Sequence, residues 1–291
     1  MKHNNQLRKE IEKLLGQNSI IKNDELKKLQ KEYKIETDEL LISFLPYAAE
    51  FAKVPISKYK VGAVVLGKSG NIYFGSNMEF EAGALSATVH AEQSAVNNAW
   101  LNGETGINKI AVTAAPCGYC RQFLNELTTA KQLHVLLKDK NLEAAKVFKL
   151  TELLPEAFGP RDLEIEGGLM KVENHKLKIE NINDELINAA LEAANKSYAP
   201  YSKNYSGVSI QLSDGTIFSG RYSENAAYNP SLLPFQSALA FMNMNTKKGS
   251  NNKIVDAVLV EAVSNISQKD AAGTLLNSIS KTKLRYYKIK N

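Results

Sequence analysis

The sequence predicts an α/β protein in which one domain occurs twice behind a helical N-terminal extension. Three observations indicate this: residues 1–45 have helical periodicity, residues 46–152 alternate short strands with helices, and residues 55–79 recur 145 positions later. Alternation of strands and helices is typical of layered α/β domains. A length of 291 residues also agrees with two domains at ~150 residues each.

Residues 1–45 are predicted to be helical. Apolar residues recur there every three or four positions, at Leu7, Ile11, Leu14 and Leu15 and again at Leu26, Leu29 and Tyr33. Asn23, followed by Asp24 and Glu25, supplies a cap and early acidic residues for the second helical segment. We expect this extension to contribute packing or an interface rather than chemistry.

Residues 46–152 are predicted to form the first copy of the repeated domain. In chain order we expect a helix at 47–53, strands at 60–66 and 71–75 joined by a turn at Ser69-Gly70, a helix at 88–101, a strand at 110–113, a helix at 119–127 and a strand at 132–137. Hairpin strands run antiparallel and strands joined through a helix run parallel, so the sheet should be mixed.

An internal repeat predicts the second copy at residues 181–291, after a linker at 153–180. A shift of 145 residues aligns 55–79 with 200–224 without a gap, and eight of these 25 positions are identical, against one or two expected by chance. After a two-residue deletion, Gln93-Ser94-Ala95 aligns with Gln236-Ser237-Ala238. The second copy has Leu233 where the first has His90, Phe235 where the first has Glu92, and no cysteine. Any reactive site is therefore expected in the first copy.

Composition excludes several classes of protein. Two cysteines in 291 residues exclude a disulfide scaffold, and the longest apolar run, at 61–67, is far shorter than the ~18 residues of a membrane-spanning helix. A formal net charge of +5 is too weak a bias to indicate nucleic-acid binding. We therefore expect a cytoplasmic protein that binds neither nucleic acid nor membrane.

The two cysteines lie in a pattern that predicts a metal site. Cys117 and Cys120 follow a strand and Pro116, so both thiols are expected in the first turn of a helix, where free backbone amides favour thiolate. His90 begins another predicted helix. Two thiolates and one imidazole suit zinc and leave its fourth tetrahedral position open. The other histidines, at 3, 134 and 175, are expected to be ordinary side chains.

Glu92 is the candidate acid–base group beside this metal. Residues i and i+2 of a helix point about 200° apart, so Glu92 is not expected to join His90 as a ligand. Two thiolates cancel the double charge of zinc formally, so such a site should acidify water less than an all-histidine site. A neighbouring carboxylate base makes up that deficit.

The segments around the candidate metal ligands resemble those of a known family. The segments His90-Ala91-Glu92 and Pro116-Cys117-Gly118-Tyr119-Cys120 match the H-x-E and P-C-x-x-C signature of zinc-dependent deaminases. Together with NMEFE at 77–81, LPEAFGPRDL in the linker and the degenerate second copy, they resemble the homodimeric type of cytidine deaminase. The resemblance covers nearly everything after residue 45. It implies a three-layer α/β/α sandwich with a mixed sheet, present twice, the second degenerate.

The resemblance implies an activity and a set of site residues. The expected reaction is hydrolytic deamination of cytidine and deoxycytidine to uridine and deoxyuridine, in pyrimidine salvage, with one zinc per chain and Glu92 as the proton shuttle. Asn77 and Glu79 match residues that bind the ribose hydroxyl. Tyr59 lies where the family typically has a phenylalanine against the pyrimidine, and Phe158 matches a ring that lines the pocket from the neighbouring subunit. The remaining implied contacts are Ala91 and Ala115, the latter through its backbone carbonyl. We also expect a homodimer in which the second copy closes the partner's pocket.

Three other functions remain open from the residues alone. Cys-Gly-Tyr-Cys at a helix start is also typical of a dithiol oxidoreductase, which would bind no metal. A purely structural zinc site usually closes with four protein ligands, whereas three are predicted here. A deaminase acting on nucleic acid would draw on the basic stretch at 281–290, whose alternative interpretation is a charged edge strand that discourages aggregation.

Overall fold

Two α/β units, each with its own sheet, make up the folded chain and confirm the predicted fold class. The structure is a computed structural model that describes residues 2–15, 19–139, 143–180, 183–246, 250 and 252–290. Among these residues no helix combines the length and the apolar character needed to cross a membrane.

The sheet of the first unit has the order β1-β3-β2-β4-β5-β6. Its strands are β1 (Ile20–Ile21), β2 (Gly62–Gly67), β3 (Ile72–Ser76), β4 (Ile107–Val112), β5 (His134–Leu137) and β6 (Lys146–Lys149). Only β4 and β5 pair in parallel, and they are the pair joined through a helix, as predicted. The short strands β1 and β6 extend the two edges and were not predicted.

Helices cover both faces of this sheet. They are α1 (Lys2–Leu15), α2 (Asn23–Tyr33), α3 (Thr37–Ala49), α4 (Ala91–Leu101), α5 (Gly118–Asn125) and α6 (Leu150–Leu153). Successive residues of the strands alternate between two hydrophobic clusters: Val64 and Phe74 pack with α3, whereas Val65 and Tyr73 pack with α4. The unit is therefore a three-layer α/β/α sandwich.

Helix α3 differs from the sequence prediction. A helical extension ending at residue 45 and a separate helix at 47–53 were expected, but a single helix begins at Thr37, contains Pro46 and ends at Ala49. The predicted boundary between residues 45 and 46 consequently falls inside α3. The reason is packing: Leu41, Phe44 and Ala48 form one continuous buried face against the sheet, so the helix continues through the proline.

The second unit repeats this plan in a smaller form. Its sheet has the order β10-β9-β7-β8, with only β10 and β9 parallel. The elements are α7 (Glu185–Asn195), β7 (Ser206–Leu212), β8 (Ile217–Arg221), α8 (Pro234–Asn245), β9 (Ile254–Ala262), α9 (Lys269–Ile279) and β10 (Leu284–Ile289). The basic C-terminal stretch includes β10, which lies at the edge of this sheet, in agreement with the alternative interpretation of that stretch.

The two copies make the same close contacts between helix and sheet. A Cβ on Gly62 would lie 2.5 Å from the Ala49 nitrogen, and a Cβ on Gly207 would lie 2.3 Å from the Ala194 nitrogen. Gly207 follows Gly62 by 145 residues and Ala194 follows Ala49 by 145 residues, which is the offset of the sequence repeat. These glycines recur because the backbone of a helix presses directly on the strand.

Helices α4 and α8 pack against each other and join the two copies. Gln93 Nε2 donates to the Pro230 carbonyl at 3.3 Å, and its counterpart Gln236 donates to the Ala87 carbonyl at 2.9 Å. One hydrophobic cluster includes residues of both copies, Val96 and Trp100 from α4 and Ala238 and Leu239 from α8 among them. Helix α4, which begins just after His90, is therefore held by the sheet on one side and by the second copy on the other.

Candidate active site

Three side chains predicted as metal ligands converge at the beginnings of two helices. His90 is the N-cap residue of α4, Cys117 is the N-cap residue of α5, and Cys120 lies in the first turn of α5. His90 Nδ1 is 3.6 Å from Cys117 Sγ and 3.3 Å from Cys120 Sγ. All three donor atoms lie within 4.8 Å of one another.

Local hydrogen bonds fix both helix starts. Val89 forms an antiparallel bridge with Met78, and the His90 amide donates to Gln93 Oε1 at 3.2 Å, which closes the first turn of α4. In α5, the Arg121 guanidinium donates to the carbonyls of Pro116 and Leu153 at 2.8 and 2.9 Å. The two segments that carry the donor atoms are thus held before any ligand binds.

The three groups bias one another's ionisation. Hydrogen bonds from Cys120 and then His90 lower the pKa of the Cys117 thiol to about 3. The hydrogen bond with Cys117 and burial raise the pKa of the Cys120 thiol, and the bond to Cys117 raises the pKa of His90. Ionisation of Cys117 is therefore favoured and that of Cys120 is disfavoured, and a bound cation would favour the thiolate form of both.

The donor set fits zinc. With Zn–S and Zn–N distances of ~2.3 and ~2.0 Å, tetrahedral ligands place S and N about 3.5 Å apart. The two separations of 3.6 and 3.3 Å from His90 Nδ1 bracket that value. Within the described residues, His90, Cys117 and Cys120 are the group of histidine, cysteine and acidic side chains arranged to hold a metal. Three protein donors leave one tetrahedral position open, as in catalytic zinc sites.

Glu92 lies buried beside these donors, in the first turn of α4. Its side chain is only 5% exposed, and burial raises the pKa of its carboxyl group, opposed by hydrogen bonds that include one from Cys120. A carboxyl group whose pKa is raised toward neutrality can both accept and return a proton. Glu92 is not one of the three clustered donors, as expected from its i+2 relation to His90.

Asn77 and Glu79 flank the residue that pairs with Val89. Because Met78 and Val89 pair in antiparallel segments, the residue before Met78, Asn77, lies opposite the residue after Val89, His90. Its amide already accepts from the Val61 amide and donates to the Tyr59 carbonyl, each at 2.9 Å. Glu79 accepts hydrogen bonds from the Ile56 and Ser57 amides and from the Ser57 hydroxyl, and these lower the pKa of its carboxyl group.

The other predicted substrate contacts differ in exposure. Tyr59 and Phe158 present their rings to solvent, with 51% and 47% of their surfaces exposed. Ala91 is buried at the start of α4, and Ala115 is exposed just before Pro116. Tyr59 is tied to Asn77 through its backbone carbonyl, so these two predicted contacts belong to one hydrogen-bonded group.

Sequence reasoning missed two residues that support the donors. The Tyr119 ring packs on the His90 ring with centroids 5.3 Å apart and an interplanar angle of 32°. Gln93 closes the first turn of α4 and reaches the second copy. The repeated segment Gln-Ser-Ala carried a signal for Gln93, since Gln236 makes the same two kinds of bond in the second copy. Tyr119 lay inside the Cys-x-x-Cys motif without a pattern to mark it.

The second copy keeps the scaffold without the donors. Leu233 is the N-cap residue of α8 and Gln268 is the N-cap residue of α9, the positions that His90 and Cys117 occupy in the first copy. Phe235 is buried in place of Glu92. Of the other histidines, His175 stacks on Tyr205 with centroids 3.5 Å apart, His134 lies in β5, and the His3 side chain lies outside the described residues.

Comparison with known proteins places this arrangement in a family. A family model described as "cytidine and deoxycytidylate deaminase zinc-binding region" matches residues 35–136, and a second model with the same description matches residues 150–273. The chain is 49% identical to a cytidine deaminase of Photobacterium profundum over 83% of this chain and 80% of that one. It is 46% identical to a cytidine deaminase of Aeromonas hydrophila over 90% and 87%.

A solved structure of a shorter cytidine deaminase is also similar to part of this chain. The cytidine deaminase from Burkholderia pseudomallei is 32% identical, with a TM-score of 0.39, over 42% of this chain and 100% of that chain. The two family models together span both copies, and the curated relatives match most of the chain at well above 30% identity. This chain therefore belongs to the cytidine and deoxycytidylate deaminase family.

Proposed function

We propose that this protein is a zinc-dependent enzyme that hydrolyses cytidine and deoxycytidine to uridine and deoxyuridine and releases ammonia. The observation that carries the proposal is the pairing of three metal donors, His90, Cys117 and Cys120, with a buried carboxyl group, Glu92, in the first turn of the helix that His90 caps. The family to which the chain belongs supports the same reaction. A dithiol oxidoreductase would not require His90 beside both thiols or a buried Glu92.

The chemistry divides between the bound ion and Glu92. Zinc held by His90, Cys117 and Cys120, one per chain, supplies a Lewis acid that makes water easier to deprotonate. Glu92 accepts a proton from the attacking water, whose oxygen forms a bond to C4 of the pyrimidine, and delivers that proton to N3. The second proton of the water then passes through Glu92 to the 4-amino group. The C4–N bond breaks, ammonia leaves and the C4 oxygen remains as the carbonyl of uridine.

Residues around the metal donors and Glu92 are proposed to bind the nucleoside. Asn77 and Glu79 bind the ribose hydroxyl; their support is the bridge that places Asn77 opposite His90. Tyr59 packs against the pyrimidine, and Ala91 and the Ala115 carbonyl contact the base. A ribose-type pocket of this kind favours free nucleosides over nucleic acid.

We also propose a homodimer in which Phe158 and the second copy close the partner's pocket. Its support is a set of large apolar side chains exposed in the single chain: Tyr59, Leu85, Phe158 and Tyr228, each between 47% and 72% exposed. Burying such side chains is favourable, and twofold pairing is the commonest way in which identical chains do so. In this proposal residues 46–152 are the catalytic domain, 153–180 the linker and 181–291 the non-catalytic domain, with α3 crossing the first boundary.

A cytoplasmic location and a role in pyrimidine salvage complete the proposal. Cys117 and Cys120 are free thiols. A site that needs two thiolates is best preserved in a compartment where thiols stay reduced. Conversion of free cytidine into uridine is the reaction that salvage of this nucleoside requires.

The variant Glu92→Gln tests the proposed chemistry. It keeps the shape of the side chain and removes its ability to exchange protons, so turnover of cytidine should fall about 10²–10⁴-fold. Zinc content should remain near one ion per chain because the three donors are unchanged. Ammonia release and metal content are measured on the same preparation.

A surface carboxylate provides the matched control. Glu185 is exposed in the first turn of α7. Glu185→Gln should keep both zinc and turnover, and a chelator should abolish turnover of the unchanged protein. Near-normal turnover by Glu92→Gln would refute the role of Glu92, and turnover that survives complete loss of zinc would refute the metal chemistry.

A further inference from the structure

Helix α5 carries a second polar group of side chains beyond the cysteines, facing the linker and the second copy. These side chains are Gln122, Asn125 and Glu126, the last of which caps the C-terminal end of α5. Their partners are the Phe158 carbonyl and the loop at 224–228 of the second copy. The helix that supplies two metal donors is therefore bound to both of the later segments of the chain.

The backbone at Phe158 is held by two amide side chains of α5. Gln122 Nε2 and Asn125 Nδ2 donate to the Phe158 carbonyl at 2.9 and 3.1 Å. The next residue also lies close to one of these side chains, since a Cβ on Gly159 would lie 2.9 Å from Asn125 Nδ2. The exposed Phe158 ring is thus presented by a backbone that α5 fixes.

Asn225 of the second copy sets the orientation of Gln122. Its Nδ2 donates to the Gln122 carbonyl at 2.9 Å, and its Oδ1 lies 3.2 Å from Gln122 Nε2 and also accepts from the Ala227 amide at 3.0 Å. Asn225 is completely buried. The corresponding position of the first copy, 145 residues earlier, is the buried Phe80, so this amide is particular to the second copy.

Glu126 attaches the same loop to the other end of α5. Its buried carboxylate accepts from the Ala226 amide at 2.9 Å, from the Tyr198 hydroxyl at 2.8 Å and from the Tyr201 hydroxyl at 2.5 Å. A carboxylate with three donors in a buried place resists displacement. Glu126 therefore links α5 to the loop at 224–228 and to the segment that carries Tyr198 and Tyr201.

We propose that the second copy acts within its own chain as a positioning element: Asn225 orients Gln122, and Gln122 fixes the Phe158 segment that contacts the substrate. Asn225 and Gln122 are positioning residues, and neither touches the reacting atoms. This inference rests on the proposed function, because it treats Phe158 as a substrate contact. It assigns to the second copy a role in substrate binding that its lack of metal donors does not reveal.

A double-mutant cycle of Gln122→Ala and Asn225→Ala tests this inference. Each single variant should raise KM for cytidine about fivefold, the effect of one lost hydrogen bond, while kcat and zinc content change little. Because both act through the same contact, the double variant should raise KM no more than the larger single change. Hydrogen exchange of the peptide at 156–163 should be faster in all three variants.

Asn204→Ala is the matched control. Asn204 is also a fully buried asparagine of the second copy, but its amide donates within that copy, to the Ala262 and Ile266 carbonyls at 3.3 Å. Its loss should lower stability and leave both KM and exchange at 156–163 unchanged. Half-buried Gln122 can be truncated without a large cavity, so Gln122→Ala keeps the test valid if Asn225→Ala fails to fold.

The experiments distinguish failure of the proposed function from failure of the positioning role. If the unchanged protein releases no ammonia from cytidine, the proposed function is wrong, while the exchange measurement still reports on positioning. If the unchanged protein is active and the Gln122→Ala variant has normal KM and normal exchange at 156–163, the positioning role is overturned. Strictly additive KM changes in the double variant would also overturn it.

Discussion

Glu79 and Glu224 occupy the same position in the two copies and make the same hydrogen bonds. Glu224 accepts from the Tyr201 and Ser202 amides at 2.8 and 3.2 Å and from the Ser202 hydroxyl, as Glu79 does from Ile56 and Ser57. Because the second copy has no metal donors, this shared bonding is structural. Glu79 therefore stabilises a loop in addition to the substrate contact proposed for it.

The pair Glu79→Gln and Glu224→Gln separates the two roles of Glu79. Each change weakens a charged acceptor of three hydrogen bonds, so each should lower the free energy of unfolding by about 1–3 kcal/mol. Only Glu79→Gln should also raise KM for cytidine, because only Glu79 lies in the copy that carries the metal donors and has a proposed substrate contact. Denaturant unfolding and steady-state kinetics give the two numbers.

Glu224→Gln is the internal control for this comparison. A rise in KM with both variants would attribute the effect to general loosening of the protein. An unchanged KM with Glu79→Gln, at a stability loss equal to that of Glu224→Gln, would leave Glu79 a structural residue alone.

The individual donors were predictable from the sequence because their geometry is local. His90, Cys117 and Cys120 lie at helix starts that Pro116 and the strand pattern indicate. The backbone amides of the first turn of a helix have no partner within the helix, so side chains that interact with them are expected there. The contact between the Tyr119 and His90 rings joins residues 29 positions apart on two different elements. No spacing rule along the chain reports such a contact.

At the scale of elements, the position of α4 depends on how closely it approaches β3. A Cβ on Gly75 would lie 2.1 Å from the Ala95 nitrogen, and a Cβ on Gly220 would lie 2.0 Å from the Ala238 nitrogen. Neither contact can be relieved by turning a side chain, since both involve helix backbone. An added methyl group must therefore push the whole helix away from its sheet.

Replacing each of these two glycines with alanine compares displacement of α4, which carries Glu92, with displacement of α8, which carries no proposed catalytic group. Gly75→Ala and Gly220→Ala should each lower the free energy of unfolding by about 1–3 kcal/mol through overpacking. Gly75→Ala moves α4, which carries Glu92, and should lower kcat at least about tenfold, because misplacement by ~1 Å is costly in catalysis. Gly220→Ala moves α8 and should keep kcat within about threefold of the unchanged protein, since α8 carries no reacting group.

Gly273→Ala is the neutral reference for this series. A Cβ at this position in α9 meets no atom within 4 Å. Alanine favours the helix over glycine by about 1 kcal/mol, so stability should stay the same or rise. Equal losses of kcat in Gly75→Ala and Gly220→Ala would contradict the idea that α4 alone transmits the displacement.

The order of elements was largely predictable, and their ends were less so. Strand β2 was expected at 60–66 and occupies Gly62–Gly67, and α4 was expected from Thr88 and begins at Ala91. The prediction for α3 was wrong because a proline pattern suggests a boundary at Pro46, whereas tertiary packing of Leu41 and Phe44 carries the helix through it. Burial supplies more free energy here than one missing hydrogen bond costs.

At the scale of the whole molecule, the proposed dimer determines whose Phe158 completes a pocket. If Phe158 serves the partner, a chain with Phe158→Ala and a chain with Glu92→Gln each lack something that the other can supply. Mixed dimers then contain one complete pocket. Random pairing should restore about a quarter of the unchanged activity at low cytidine concentration, measured after coexpression or subunit exchange.

A second mixture controls for this complementation. Cys120→Ser and Glu92→Gln both damage the same domain, so mixing these chains should restore nothing. If Phe158 completes the pocket of its own chain, the Phe158→Ala and Glu92→Gln mixture should also restore nothing, and sedimentation of a fully active monomer would rule out the dimer itself.

The sequence by itself predicted the two α/β copies, the cluster of His90, Cys117 and Cys120, and Glu92 as the carboxyl group beside it. Periodicity, helix-start chemistry and a repeat at fixed offset are all local along the chain and can be read from it. Only the tertiary structure decided that Nδ1 of His90 faces both sulfurs, that Glu79 bonds its own loop, and that the second copy binds α5 through Asn225 and Glu126. These contacts join residues 22 to 103 positions apart, and their formation depends on how buried surfaces pack, which no pattern along the chain encodes.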